Sequence, residues 1–138
     1  MEATKGTHRA LVTGIGILSP VGNDREAVRR AVAEARSGID LVRAFDTTPL
    51  RTPYGGEVRD VDLESLVPAD ERARFADRYL LLALVAARQA LADAGLVWSR
   101  DRRPPPRAGI VFGTCNGGLL TAEEQYRVLD GQRPGRFD

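Results

Sequence analysis

Histidine and cysteine are nearly absent from this chain: His8 and Cys115 are the only ones. A single thiol excludes an internal disulfide, and one residue of each kind excludes a Cys/His zinc site built from the chain itself. An excess of charge of either sign is missing as well. Lys plus Arg number 20 against 19 Asp plus Glu, a net charge of +1, so no global field favours nucleic acid. Nor is there a long hydrophobic run. The longest, Tyr79 to Ala87, falls well short of the roughly 20 residues that cross a bilayer, and no apolar stretch of signal-peptide type precedes Ala10. No internal repeat or low-complexity tail is present. These absences predict one cytoplasmic globular unit over residues 1–138, without a membrane span and without room for two full domains.

What is there reads as α/β layering. Arg9 to Thr13 is a short apolar, partly β-branched run closed by glycines, the pattern of a strand buried on both faces. After Gly14-Ile15-Gly16 and Ser19-Pro20, Asn23 is placed to cap a helix, with Glu26 returning the bond. Ala27, Val28, Ala31, Val32 and Ala35 form its apolar stripe, and Ser37-Gly38 its stop. Between Ile39 and Pro68 the prolines and glycines allow only a short extended piece at Gly56 to Arg59 and a helical turn from Asp62 to Leu66. Asp70 to Phe75 suits another short helix. Tyr79 to Ala94 is apolar around most of its circumference, interrupted only by Arg88, Gln89 and Asp93, so it requires cover on most sides. Asp77 is its expected cap and Gly95 its stop, before a basic, Pro-rich connector from Arg100 to Pro106. A second strand is expected at Ala108 to Phe112. Beyond the Gly113–Gly118 loop, Thr121 and Glu124 suit a capping box on a helix reaching Asp130. Two strands make a poor sheet for helices this apolar, which implies that further polypeptide covers them.

Three features carry possible chemistry, each with a plainer reading. Gly14-Ile15-Gly16 after a strand suggests a pyrophosphate cradle, but Ser19 stands where the third glycine of G-x-G-x-x-G belongs, and the helix starts too late to aim its dipole at a phosphate. The plainer reading is a turn in which only glycine fits beside packed neighbours. Cys115 lies in a Gly-rich strand-to-helix loop, where a nucleophile could be activated. His8 stands in the N-terminal tail with nothing to orient it toward that thiol, so a pocket-lining or core role is simpler for Cys115 and a solvated tail for His8. Arg72, Arg74 and Arg78, and Arg100, Arg102, Arg103 and Arg107, read as solvated surface, or else as a landing site for an acidic protein.

Taken in order, the residues resemble a family. Ala10-Leu11-Val12-Thr13-Gly14-Ile15-Gly16-Ile17-Leu18-Ser19-Pro20-Val21-Gly22-Asn23 is similar to the opening of β-ketoacyl-[acyl-carrier-protein] synthases of the synthase II-like and type II polyketide kinds, which typically read VVVTGxGxxSPxGN. The likeness continues through Ser37-Gly38-Ile39, Phe45-Asp46, Gly56-Glu57-Val58, Asp77-Arg78, Ala90-Leu91-Ala92-Asp93-Ala94-Gly95-Leu96 and Gly109-Ile110-Val111-Phe112-Gly113-Thr114. Gly117-Gly118-Leu119 and Glu123-Glu124-Gln125-Tyr126 close it. It spans nearly the whole chain, but only about the first third of a family member.

The resemblance implies a partial thiolase-like fold, the opening part of the first α/β half of a five-layer body whose active site lies between the halves, with a dimer partner alongside. The implied reaction is decarboxylative Claisen condensation of acyl groups borne on the phosphopantetheine of an acyl carrier protein, using a cysteine nucleophile, two histidines or a histidine and an asparagine, and no cofactor or metal. The family's nucleophile and histidine motifs are not in this chain, so it implies no catalytic residue here and a complementing ketosynthase chain. Cys115 does not match the nucleophile. The Gly113–Gly118 loop matches a family loop commonly reading GTGxGG, which implies that Thr114, Cys115 and Asn116 line the acyl pocket. With Cys115 for a glycine and Asn116 for an apolar residue, that pocket is expected to be narrower and more polar. Burying an unpartnered amide beside an acyl chain costs about 1–3 kcal/mol, which favours short, polar or unsaturated substrates. The family's "MD" pair corresponds to Ala76-Asp77, and the resemblance implies carrier-protein contacts at Arg72 and Arg74. A second expectation is a non-catalytic, chain-length-factor-like subunit or an inactive remnant.

Overall fold

The computed structural model describes residues 9–75, 77–96 and 108–131. His8, Ala76 and the expected basic connector, with Arg100, Arg102, Arg103 and Arg107, lie outside the described residues. In chain order the elements are α1 (Arg25–Ala33), β1 (Asp40–Leu41), β2 (Tyr54–Gly55), α2 (Leu63–Leu66), α3 (Ala69–Arg72), α4 (Arg78–Asp93) and α5 (Leu119–Leu129).

The apolar helix expected near Tyr79 is α4, and the rest is arranged around it. Gly95, at φ 69°, ends it in the left-handed conformation that glycine adopts without a Cβ penalty. Segment 14–17 lies directly on its surface. A Cβ on Gly14 would sit 2.7 Å from the Ala94 nitrogen, and one on Gly16 2.7 Å from the Ala90 nitrogen. Two helix side chains then satisfy alternate amides of the segment: Ile15 N–H donates to Asp93 Oδ2 at 3.0 Å, and Ile17 N–H to Gln89 Oε1 at 2.9 Å. The Gln89 amide also donates to the Asn23 carbonyl at 2.8 Å. The glycine pair is therefore a close-packing device, as its plainer reading holds, and its amides are engaged by a helix.

Both expected strands are corrected. Residues 9–13 and 108–112 form no strand, because among the described residues no chain segment pairs with either of them. Leu11 and Val12 are 83% and 84% exposed, and Ile110 and Val111 are 95% and 102% exposed. Sequences suited to burial on both faces are thus bare. The one described sheet is instead the two-residue antiparallel pair β1–β2, pairing Asp40 with Gly55 and Leu41 with Tyr54, inside the stretch where only an extended piece at Gly56 to Arg59 was expected. The core is correspondingly slight: among the described residues, Ala31, Val67 and Val85 are the buried apolar ones.

Arg59 holds that hairpin together. Its guanidinium reaches Asp40 Oδ2 and Glu57 Oε2, each at 2.7 Å, and donates to the Leu41 carbonyl. Glu57 in turn accepts from the Arg43 and Ala44 amides at 3.0 and 2.8 Å. These bonds favour the charged forms, so the Arg59 guanidinium, with the Ala44 amide next, holds Glu57 below the usual carboxylate range, and the same guanidinium, with the Leu41 amide, lowers Asp40.

Local signals are shifted in places by tertiary partners. Asp24, not Asn23, caps α1, accepting from Ala27 N–H at 2.7 Å, since the helix begins at Arg25; the Asn23 amide instead donates to the Arg59 carbonyl at 2.6 Å. The left-handed stop falls at Ala35, φ 49°, ahead of Gly38, where Arg36 N–H closes on the Ala31 carbonyl at 2.8 Å. The helical turn expected from Asp62 to Leu66 is α2, with Asp62 as its cap. Arg88 then joins α4 to the short helices, meeting Glu71 at 2.7 Å and the Leu66 carbonyl at 3.2 Å.

Candidate functional site

The Gly113–Gly118 loop connects residues 108–112 to α5, and the first turn of α4 grips it at three points. Before the loop, Phe112 stacks on Tyr79, the ring centroids 6.5 Å apart at 26°. Within it, Gly117 lies against the same ring, where a Cβ would come within 2.7 Å of Tyr79 Cε2 and Cζ. Beyond it, the Thr121 hydroxyl donates to Asp77 Oδ2 at 2.6 Å. Gly118, at φ 84°, makes the left-handed step that starts α5, a conformation that a residue with a Cβ adopts only at a cost.

Thr114, Cys115 and Asn116 stand together on the crest of this loop, and all three are exposed. Cys115 is a free thiol. No histidine is among the described residues, and no group of three or more His, Cys, Asp or Glu among them could hold a metal ion. No described helix is long and apolar enough to cross a membrane.

The other two expected site residues are in a separate place, on the approach to α4. Arg72 ends α3 with its guanidinium 3.8 Å from Glu64 and the side chain 31% exposed. Arg74 is exposed. The structure brings Thr114, Cys115 and Asn116 into one loop and leaves Arg72 and Arg74 outside it, a few residues before the helix that supports the loop.

Three residues of the site have roles that local sequence rules assign differently. Asp77 was expected to cap α4, yet its side chain makes no cap bond there. Thr121 was expected to open a capping box on α5, but Gly118 occupies the N-cap position and the hydroxyl goes to Asp77. Tyr79 was expected only to be part of the apolar helix. Two residues suited to capping at separate helix starts were the available signal, and nothing local indicates that they meet.

Comparison with known proteins follows the same lines. Residues 8–136 match the family described as the β-ketoacyl synthase N-terminal domain. The chain is 34% identical over 128 residues to the 3-oxoacyl-[acyl-carrier-protein] synthase 2 of Synechocystis sp. (strain ATCC 27184 / PCC 6803 / Kazusa), and to that of Staphylococcus aureus (strain COL). Each alignment covers 93% of this chain and 30% of the relative, so the chain spans less than a third of the length of these relatives. Among solved structures, the ishigamide ketosynthase/chain length factor superposes with a TM-score of 0.54 at 31% identity, over 62% of this chain and 21% of that one.

Proposed function

Because this chain belongs to the β-ketoacyl synthase family through its N-terminal domain, we propose that it forms the opening part of the first α/β half of a five-layer condensing-enzyme body. The observation that carries this reading is the pair of bare apolar runs. Leu11-Val12 and Ile110-Val111 have the composition of central strands and are more than four-fifths exposed, so they are suited to a sheet completed by further condensing-enzyme polypeptide.

Within such a body the activity is a cytoplasmic decarboxylative Claisen condensation on acyl groups carried by an acyl carrier protein. A cysteine nucleophile, an oxyanion site and the groups assisting decarboxylation come from polypeptide other than residues 1–138, which contribute a wall of the acyl pocket. Thr114, Cys115 and Asn116 form that wall. The Asn116 amide and the Cys115 side chain make it narrower and more polar than an all-glycine-and-aliphatic loop, which disfavours long saturated chains by the cost of burying an unpartnered amide, about 1–3 kcal/mol. Arg74, exposed just before α4, and Arg72 offer positive charge to an acidic carrier.

Co-expression with a condensing-enzyme portion carrying the nucleophile tests the reading. A co-purifying complex that elongates acyl-carrier substrates is the expected result. A stable monomer that melts cooperatively alone and ignores the complementing portion would refute it.

The likeness to a ketosynthase/chain length factor favours one second reading, a non-catalytic subunit that shapes the pocket of an active partner. Loading the complex with an acyl-carrier substrate and locating the acyl group by intact mass separates the two.

A further inference from the structure

The geometry points to Asp77 as the positioning residue of the Gly113–Gly118 loop, acting through the Thr121 hydroxyl; the consequence for substrates rests on the reading of that loop as an acyl-pocket wall. At the start of a helix an aspartate ordinarily accepts from first-turn amides. Asp77 holds that position on α4 and makes no such bond, although it is only 4% exposed. A carboxylate is buried at great cost unless it is hydrogen-bonded, and here the bond is the 2.6 Å contact from Thr121. That is a charge-assisted bond of the short, strong kind.

Position decides what this bond controls. Thr121 lies in the first turn of α5, three residues past Gly118, whose left-handed φ of 84° marks the only described left-handed step between loop and helix. Two residues on from Asp77, Tyr79 packs on Phe112 and Gly117. Residues 112, 117 and 121 are thus all referred to positions 77 and 79, and the exposed crest of Thr114, Cys115 and Asn116 is carried between these anchors. Tyr79 sets the height of the loop by apolar contact, which tolerates sliding. The Asp77–Thr121 bond is directional and sets the rotation of α5 about Gly118, and with it the direction in which the crest faces.

The test compares Thr121→Val, Thr121→Ser and Asp77→Ala in the chain assembled with its complementing condensing-enzyme portion. Thr121→Val is nearly isosteric and guards against misfolding of the Asp77 variant. Hydrogen exchange is read at Ala122, whose amide donates to the Gly118 carbonyl at 2.9 Å. Exchange there is expected to rise about tenfold in Thr121→Val and Asp77→Ala, and to stay at the parent rate in Thr121→Ser and throughout α1. The ratio of kcat/KM for short against long acyl-carrier substrates, which does not depend on how much enzyme is active, is expected to move about tenfold in the first two variants and to be restored in Thr121→Ser. Unchanged exchange at Ala122, or faster exchange with that ratio constant, would overturn the assignment. A parent assembly that condenses no acyl substrate would instead overturn the pocket reading, and exchange at Ala122 would then decide the tether alone.

Discussion

Gly16 passes so close to α4 that a β-carbon there would overlap the carbonyl oxygen of Ala86. The backbone of one segment is seated on the backbone of another, with no side chain between them. Gly14 repeats the arrangement one turn along, against Ala90 and Ala94. The small residues Ala86, Ala90 and Ala94 supply the flat track on which two glycines fit, so the composition of the helix and that of the segment answer each other.

Gly16→Ala is therefore expected to lift residues 14–17 from α4, since the clash is with main chain that cannot rotate away. Overpacking of this kind costs about 1–3 kcal/mol. Thermal unfolding and the rate of proteolytic cleavage near residues 9–18 measure it, and an unchanged midpoint with unchanged cleavage would refute the seating.

Gln89 serves two partners, accepting from Ile17 N–H and donating to the Asn23 carbonyl. Gln89→Leu keeps the bulk and removes both bonds, leaving a part-buried donor and acceptor unmatched at about 1–3 kcal/mol. Asp93→Asn retains an acceptor for Ile15 N–H and is expected to be milder, losing mainly the surface pair with Arg25 at 3.0 Å. Denaturant midpoints of the two variants should rank in that order.

The β1–β2 hairpin is expected to loosen in acid. Arg59 lowers Glu57 and Asp40 from their ordinary values of 4.5 and 3.8. A carboxylate lowered on folding stabilises the folded form above its ordinary value and loses that contribution as pH falls through the folded value. Amide signals of Arg43 and Ala44, which donate to Glu57, should thus hold steady from neutral pH to about 4.5 and shift below it. Arg59→Met should move the transition toward the ordinary carboxylate range, and a transition that stays where it was would exclude Arg59 as the cause.

On the loop crest, Asn116→Ile is expected to move the assembled enzyme toward longer saturated acyl chains by up to about tenfold in relative kcat/KM, an aliphatic side chain replacing an amide beside the acyl group. On the proposed reading, in which the nucleophile lies outside residues 1–138, Cys115→Ser is expected to retain turnover. The thiol's exposure also makes it a ready target for alkylation, which should narrow the pocket and slow long substrates first. Complete loss of turnover in Cys115→Ser would refute the assignment of the nucleophile to other polypeptide.

Much of this was legible along the chain. The apolar run that forms α4, the Gly95 stop, the helical turn after Asp62 and the close packing of Gly14 and Gly16 each follow from local chemistry, and the opening run through Asn23 was enough to suggest the family. The errors have a common physical source. Asn23 caps nothing because α1 begins one residue later, with Asp24 at its N-cap, while the Asn23 amide donates to the Arg59 carbonyl, distant in sequence. Thr121 opens no capping box because α5 already begins at Leu119 behind Gly118, and its hydroxyl goes to Asp77. Residues 9–13 and 108–112 have strand composition but no strand, since a ladder requires a second chain segment that composition alone does not supply.

The sequence by itself determined which segments are helical, where glycine is obligatory and which runs are built for burial, because those depend on propensity, periodicity and side-chain size within a few residues. Only the tertiary structure decided that Gln89 and Asp93 hold the glycine segment, that Arg59 closes the hairpin and that Asp77 with Tyr79 carries the candidate loop. Each of those is a choice among several equally suitable partners, and packing makes the choice by bringing one of them within bonding distance.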